Sequence, residues 1–234
     1  MMERPKDKHP YPGKLIIVEG IDGSGKSTQL SLLGKWLQSS GYRVFLTEWN
    51  SSALVNDTIK RGKKKNLLTP ATFSVLHATD FADRFMHLIM PPLKSGMLVL
   101  ADRYIFTAFA RDVVRGVDRK WVRDMYGFAV KPDVAFYFKV PIEVSLKRIL
   151  SGRIALKFHE AGMDLGLSDD PKESFRLFQT KILDEYDAIA GEYGLTVIDA
   201  ARPIEKQQTE VRSLVKEFLK DYRQTPFSDQ EDWS

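Results

Sequence analysis

The chain has 234 residues, 43% of them hydrophobic and 28% charged, with a formal net charge of +4 and no cysteine. This mixture can bury an ordinary core, which excludes a disordered or collagen-like chain, and the lack of cysteine excludes disulfides, thiolate metal sites and a cysteine nucleophile. No apolar run approaches the ~18 residues of a membrane helix, and the charged, proline-containing stretch Met1 to Lys14 does not read as a secretory signal.

Strand and helix signals then alternate along the chain. Lys14–Glu19 is a short apolar run between Gly13 and Gly20, the form of a parallel strand buried on both faces. From Lys26 to Ser40, Leu30, Leu33, Trp36 and Leu37 share one helical face, and Gly41 stops the helix. Tyr42–Glu48 reads as a second strand. Thr69 and Pro70 read as a cap and first turn, opening a helix through Phe73, Leu76, Phe81, Phe85 and Leu88 that Pro91 and Pro92 disturb or end. Met97–Ala101 and Val134–Val140 are the third and fourth strands, and Pro141 introduces a helix over Ile142 to Leu150. Leu195–Ile198 is the fifth strand. A helical stripe of Val211, Leu214, Val215, Phe218 and Leu219 follows, then a polar tail from about residue 223, acidic at Ser228–Ser234. No repeat or linker divides the chain, so residues 1–234 are expected as one cytoplasmic α/β domain, its parallel sheet covered on both faces.

Gly20-Ile-Asp-Gly-Ser-Gly-Lys26-Ser27 matches G-x-x-x-x-G-K-[ST] in full, between a strand and a helix as the motif requires. Its glycines let backbone N–H groups turn inward on phosphate oxygens, Lys26 reaches the β- and γ-phosphates, and the Ser27 hydroxyl can ligate Mg²⁺. The following helix offers the same anion its positive end. Gly20, Asp22, Gly23, Ser24, Gly25, Lys26, Ser27 and Thr28 are therefore the candidate ATP-binding residues. Leu98-Val-Leu-Ala-Asp102 is an apolar strand ending in a carboxylate, which makes Asp102 with Ser27 the candidate Mg²⁺ residues. There is no N-K-x-D signature of a GTPase and no L-S-G-G-Q-like run of a transporter ATPase.

Glu19-Gly-Ile-Asp-Gly-Ser-Gly-Lys-Ser-Thr-Gln29, followed by Asp102-Arg103-Tyr104, resembles the thymidylate kinase family of P-loop nucleoside-monophosphate kinases. The resemblance runs in order from about Lys14 to Leu219 and takes in Val140-Pro-Ile-Glu-Val-Ser-Leu-Lys-Arg148 and Tyr186. It implies a three-layer P-loop kinase fold with a five-stranded parallel sheet, MgATP as donor, a nucleoside monophosphate as acceptor and a homodimer. Neither a membrane nor nucleic acid is an expected partner. By position, Asp22 would face the acceptor's sugar hydroxyl, Arg103 would hold the phosphate that attacks, and Asp102 would orient Mg²⁺ through water. A phosphate monoester, with its second pKa near ~6, is already anionic at neutral pH. The site must supply positive charge rather than a strong base. Some family members carry an arginine in the P-loop where this chain has Gly23; the family's other arrangement takes it from the lid. That points to Arg153, just past Gly152, with Arg148 as the competing arginine. Lys26, Asp102, Arg103 and Arg153 are the candidate catalytic residues.

Departures from the family pattern gather in the acceptor half. The E-P-G-G-T type segment is replaced by Glu48-Trp49-Asn50-Ser51-Ser52. In Ala78-Thr79-Asp80-Phe81-Ala82-Asp83-Arg84 the arginine that reads the base falls on Phe81 in one register and on Arg84 in the other. The S-x-x-A-Y-Q stretch becomes Thr107-Ala-Phe-Ala-Arg111-Asp112, exchanging an amide for a carboxylate. The candidate acceptor residues are Asp22, Glu48, Phe81, Arg84, Arg103, Thr107 and Arg111. A long lid is expected at about 152–171, and Arg61 with Lys63, Lys64 and Lys65 reads as a solvated basic loop. The four histidines show no metal-ligand spacing. The expected reaction is conversion of dTMP to dTDP. Its rivals are a kinase for another nucleotide or phosphorylated metabolite, and an ATP-binding regulatory or nucleic-acid-associated protein.

Overall fold

The computed structural model describes residues 9–224. Most of the N-terminal stretch Met1 to Lys14 and the acidic tail Ser228–Ser234 lie outside them. Five parallel strands, β1 (Lys14–Glu19), β2 (Val44–Glu48), β3 (Leu98–Asp102), β4 (Val134–Lys139) and β5 (Thr196–Asp199), form one sheet in the order β2-β3-β1-β4-β5. β1 is central, and Leu15, Ile16, Ile17 and Val18 are fully or almost fully buried, as a strand covered on both faces demands. The chain leaves β1 toward β3 on one side and β4 on the other. This switch of direction opens a crevice at the carboxyl ends of the strands, the place where such sheets bind ligands. Val18 pairs with Asp102, and Glu48 pairs with Asp102 across the next gap, so three carboxyl-end positions align beside the P-loop.

Helix α1 (Lys26–Ser39) follows the P-loop and packs with α9 (Ile204–Phe218), where Gln208 donates to the Gln29 carbonyl at 2.9 Å. Helices α5 (Ile105–Val114) and α8 (Pro171–Tyr193) pack together, with α8 also against β4. The α8 ends follow elementary capping rules: Asp170 accepts from the Glu173 amide at 2.7 Å, Pro171 needs no donor in the first turn, and Gly194 closes the helix at φ 70°. The remaining helices are α2 (Asn56–Lys64), α3 (Pro70–Arg84), α4 (Met90–Lys94), α6 (Arg119–Met125) and α7 (Ile142–Gly152).

One expectation is narrowed and another needs correction. Of the two outcomes expected at Pro91 and Pro92, the helix that Thr69 caps is disturbed and not ended. A wider π turn at Phe85–Ile89 carries the chain into α4, whose first turn contains both prolines, where no amide donor is needed. Arg61, Lys63 and Lys64 are not on a loop: they form the last turns of α2, their charges facing the negative end of that helix. The first strand has the ends read from the sequence, and those of the others differ by at most two residues. Among the described residues no helix is long and apolar enough to cross a membrane.

Candidate active site

The P-loop is threaded through a space that side chains would block. A Cβ at Gly20 (φ 145°) would meet the Phe138 carbonyl at 2.7 Å, and one at Gly23 (φ 73°) would meet the Ser145 carbonyl at 2.7 Å. Helix α7 braces the loop from outside: Ser145 Oγ donates to the Asp22 carbonyl at 2.6 Å, and Arg148 donates to the carbonyls of Ser24 at 3.3 Å and Ala200 at 2.9 Å. Gly25, at φ 86°, begins α1 with no side-chain cap, which leaves the amides of its first turn for an anion. Ser24 Oγ is buried without a partner among the described residues.

Lys26 is buried beneath this loop. Burial and the nearby Arg103 guanidinium pull its pKa down, while the carboxylates of Asp102, Asp22 and Glu19 pull it back. A polyphosphate would strengthen the second set of influences. At the end of β3, Asp102 Oδ1 is buried with no hydrogen-bond partner among the described residues, an oxygen free to accept from a metal-bound water. Together with the exposed Ser27 at the loop's end, this is a donor set of hard oxygens that fits Mg²⁺.

Arg103 follows in the left-handed region at φ 67°, a conformation unusual for a side chain of its size. Its amide donates to the Val18 carbonyl at 2.9 Å, and its guanidinium forms an ion pair with Asp22. Burial raises the Asp22 pKa, but Arg103 and Lys26 more than reverse this, so the carboxyl stays below its ordinary range. Beneath them Glu19, fully buried, accepts from the Tyr104 amide (2.8 Å), the Thr107 amide (3.2 Å), the Thr107 hydroxyl (2.7 Å) and the Tyr186 hydroxyl (2.9 Å). It ties β1, α5 and α8 together directly under the P-loop. A carboxylate ending an apolar strand just before the motif was the available signal for it.

Two cavities open above this floor. The larger, about 630 Å³, runs from Asp22, Lys26, Ser27, Asp102 and Arg103 past Glu48 and Trp49 to Lys63, Phe73, Arg111, Arg115 and His159. The second, about 400 Å³, lies over the P-loop and is lined by Gly23, Gly25, Thr28, Ile149 and Gly152. Asp22, Lys26, Ser27, Arg153 and Glu160 line both. Arg153 comes from the segment between α7 and α8 and forms an ion pair with Glu160 of the same segment. That segment is pinned at Asp164, which Arg115, just past the end of α5, meets at 2.9 Å, and at Gly162, where a Cβ would strike Phe178 at 2.5 Å.

The candidate acceptor residues divide. Asp22, Glu48, Arg103 and Arg111 line the larger cavity. Thr107 lies below it, its hydroxyl committed to Glu19. Phe81 and Arg84 do not line it. Phe81 is a core ring, fully buried with its centroid 5.1 Å from that of Tyr104 and 5.3 Å from that of Tyr126. Arg84 is equally buried and donates to Thr47 Oγ1 at 3.0 Å and the Arg103 carbonyl at 2.9 Å. Both fall on the face of α3 that meets the core, so neither register of the base reader delivers an arginine to the cleft. Trp49, Lys63, Phe73, Arg115 and His159 were not singled out as site residues from sequence. Arg115 had a signal, since it follows Arg111 by one helical turn.

Comparison with known proteins bears on this architecture. The family model described as thymidylate kinase matches residues 18–211, from the end of β1 into α9. The chain belongs to the thymidylate kinase family. A protein of Saccharolobus solfataricus described as "probable thymidylate kinase 2" is 48% identical over 209 residues, covering 88% of this chain and 97% of its own length. One from Thermococcus kodakarensis, described as "probable thymidylate kinase", is 32% identical over 214 residues, covering 87% of this chain and 98% of the relative. A third, from Pyrobaculum aerophilum and described in the same words, is 31% identical over 206 residues, with 88% and 97% covered. Thymidylate kinase family membership makes the chain a nucleoside-monophosphate kinase, and Lys26, Ser27, Asp102 and Arg103 line one cavity in it.

Proposed function

We propose that this chain transfers the γ-phosphoryl group of MgATP to dTMP, releasing dTDP and ADP. The observation that carries the reading is the junction of the two cavities at Asp22, Lys26, Ser27, Arg153 and Glu160, which lets a donor over the P-loop meet an acceptor in the larger cleft. A phosphate oxygen of dTMP bonds to the γ-phosphorus as the bond to the β,γ-bridging oxygen breaks, and the displaced charge leaves on ADP. The P-loop amides and Lys26 hold the donor phosphates. Arg103, preset by Asp22, takes the acceptor phosphate. Arg153 brings a guanidinium from the lid to the phosphoryl group in flight, and the attacking oxygen needs no base. Ser27 and Asp102 would hold Mg²⁺, which would supply neutralisation of the triphosphate charge.

Family likeness also supports a cytoplasmic homodimer, which light scattering of the purified chain tests for its oligomeric part. The reaction itself is tested by incubating the protein with MgATP and a panel of deoxynucleoside and ribonucleoside monophosphates. Formation of dTDP as the dominant product supports the reading. ATP binding with transfer to none of the panel overturns it in favour of a binding protein, and rapid transfer to a different acceptor renames the substrate.

A further inference from the structure

The cleft end remote from the P-loop is built around one aromatic ring and three cations. Lys63 Nζ lies 5.0 Å from the centre of the Phe73 ring, and the guanidiniums of Arg111 and Arg115 each lie 4.7 Å from it. The two arginines have carboxylate partners, Asp112 at 2.9 Å and Asp164 at 2.9 Å. Lys63 has no ion pair among the described residues. The carboxylates nearest it already accept at both oxygens: Asp112 from Ser74 and Arg111, and Asp80 from the amides of Asn50 and Ser52. Arg111 Nη2 is buried without a partner among the described residues. Lys63 and Arg111 both line the cleft, a half-buried ammonium beside a guanidinium with an unspent N–H. With Arg84 and Phe81 turned into the core, no other part of α3 brings an arginine to this end.

We propose that Lys63 is an acceptor-recognising residue, its ammonium donating, beside Arg111, to a carbonyl oxygen on the pyrimidine edge of the nucleotide. The proposal rests on the dTMP reading above and names the group that replaces the displaced base reader. The groups facing Lys63 define its charge state. Burial and the guanidiniums of Arg111 and Arg115 bring its pKa down to about 7, with Asp112 and Asp80 opposing them only in part. Two histidines lie close by, and Lys64, Lys157, Glu48 and Glu160 line the same cleft. His77 of α3 is buried, accepts from Trp49 Nε1 at 3.2 Å and is held neutral, its pKa well below the ordinary value. His159 of the lid donates from Nε2 to the Lys63 carbonyl at 3.2 Å. A ligand oxygen therefore binds the protonated lysine more tightly than the neutral amine, because a charge-assisted hydrogen bond is roughly twice as strong as a neutral one.

Calorimetric titration of dTMP, without ATP, into wild type, Lys63→Gln and Lys63→Arg at about pH 6 and about pH 8.5 tests this, with MgATP titrated in parallel. The wild type is expected to lose about tenfold in dTMP affinity at the higher pH. Lys63→Gln binds dTMP weakly at both pH values, and Lys63→Arg, whose guanidinium stays charged, holds its affinity at both. MgATP affinity stays within about twofold throughout, since Lys63 does not line the P-loop cavity. A Lys63→Gln protein that binds dTMP as wild type does, or a Lys63→Arg protein that shares the wild-type pH dependence, overturns the role of Lys63 while leaving the kinase reading intact. A wild type that neither binds nor phosphorylates dTMP overturns both.

Discussion

Arg84 holds Arg103 by its main chain: Nη1 of the first donates to the carbonyl of the second at 2.9 Å, while Nε reaches Thr47 Oγ1 at 3.0 Å. The left-handed turn at Arg103, φ 67°, is thereby fixed from below, and the Asp22 carboxylate fixes its guanidinium from above. A side chain that one register of the sequence places at the nucleobase instead holds Arg103, the residue proposed to take the acceptor phosphate.

Arg84→Met should test this division of labour. Burial already lowers Arg84 to about 10, and removing the guanidinium leaves the Thr47 hydroxyl and the Arg103 carbonyl without their donor. We expect a loss of about 2–4 kcal/mol in stability together with a fall in dTMP turnover. Denaturant unfolding and steady-state kinetics on the same preparation check it. Weakened dTMP binding at unchanged stability would place Arg84 on the nucleotide after all.

Lys26→Met should abolish phosphoryl transfer, by about 10³-fold or more, without weakening the fold. The lysine is buried, and its pKa is lowered by burial and by Arg103, so in the absence of phosphate it is an electrostatic cost rather than a brace. Thermal unfolding without nucleotide is expected to be unchanged or to move upward. A marked drop in melting temperature would show that Lys26 holds the loop itself.

The two arginines at the P-loop should separate by phenotype. Arg153 lines both cavities and pairs with Glu160 of its own segment, whereas Arg148 is spent on the Ser24 and Ala200 carbonyls. Arg153→Ala is expected to cut turnover by about 10³-fold with modest change in ATP affinity. Arg148→Ala is expected to loosen the P-loop, seen as weaker ATP binding and lower stability. If turnover collapses in Arg148→Ala and survives in Arg153→Ala, the mobile charge belongs to α7.

Acid should release the lid anchor. Burial pushes the Asp164 carboxyl up, but the His159 ring 3.5 Å away and the Arg115 guanidinium more than reverse this and hold it at about 2. A carboxyl lower in the folded than in the unfolded state contributes stability above its ordinary value of 3.8, and that contribution fades as pH falls toward about 2. Unfolding of wild type and Asp164→Asn followed from about pH 5 downward should show the wild type losing stability more steeply in that window. Parallel curves would mean the pair adds nothing to the fold.

The parts of this protein that could be read from the chain are those whose chemistry is contiguous. The P-loop, its strand and its helix are neighbours in sequence, so Gly20 to Thr28 announced both the phosphate cradle and the Lys26 charge. Buried parallel strands are short apolar runs, and all five appear close to their observed ends. Asp102 and Arg103 end such a run, which ties them to the carboxyl edge of the sheet. The acceptor end is assembled from α2, α3, α5 and the lid, and there the face each helix presents matters more than its letters. Phe81 and Arg84 have the residue types of a base site but lie on the core side of α3, while Lys63, in a run that reads as solvated, is folded over Phe73. The helical repeat sets which residues share a face. Phe73, Phe81 and Arg84 share one stripe of α3; packing of its second half against Tyr104 and Tyr126 takes Phe81 and Arg84 into the core while Phe73, nearer the start of the helix, lines the cleft, and that division rests on contacts between residues far apart in the chain.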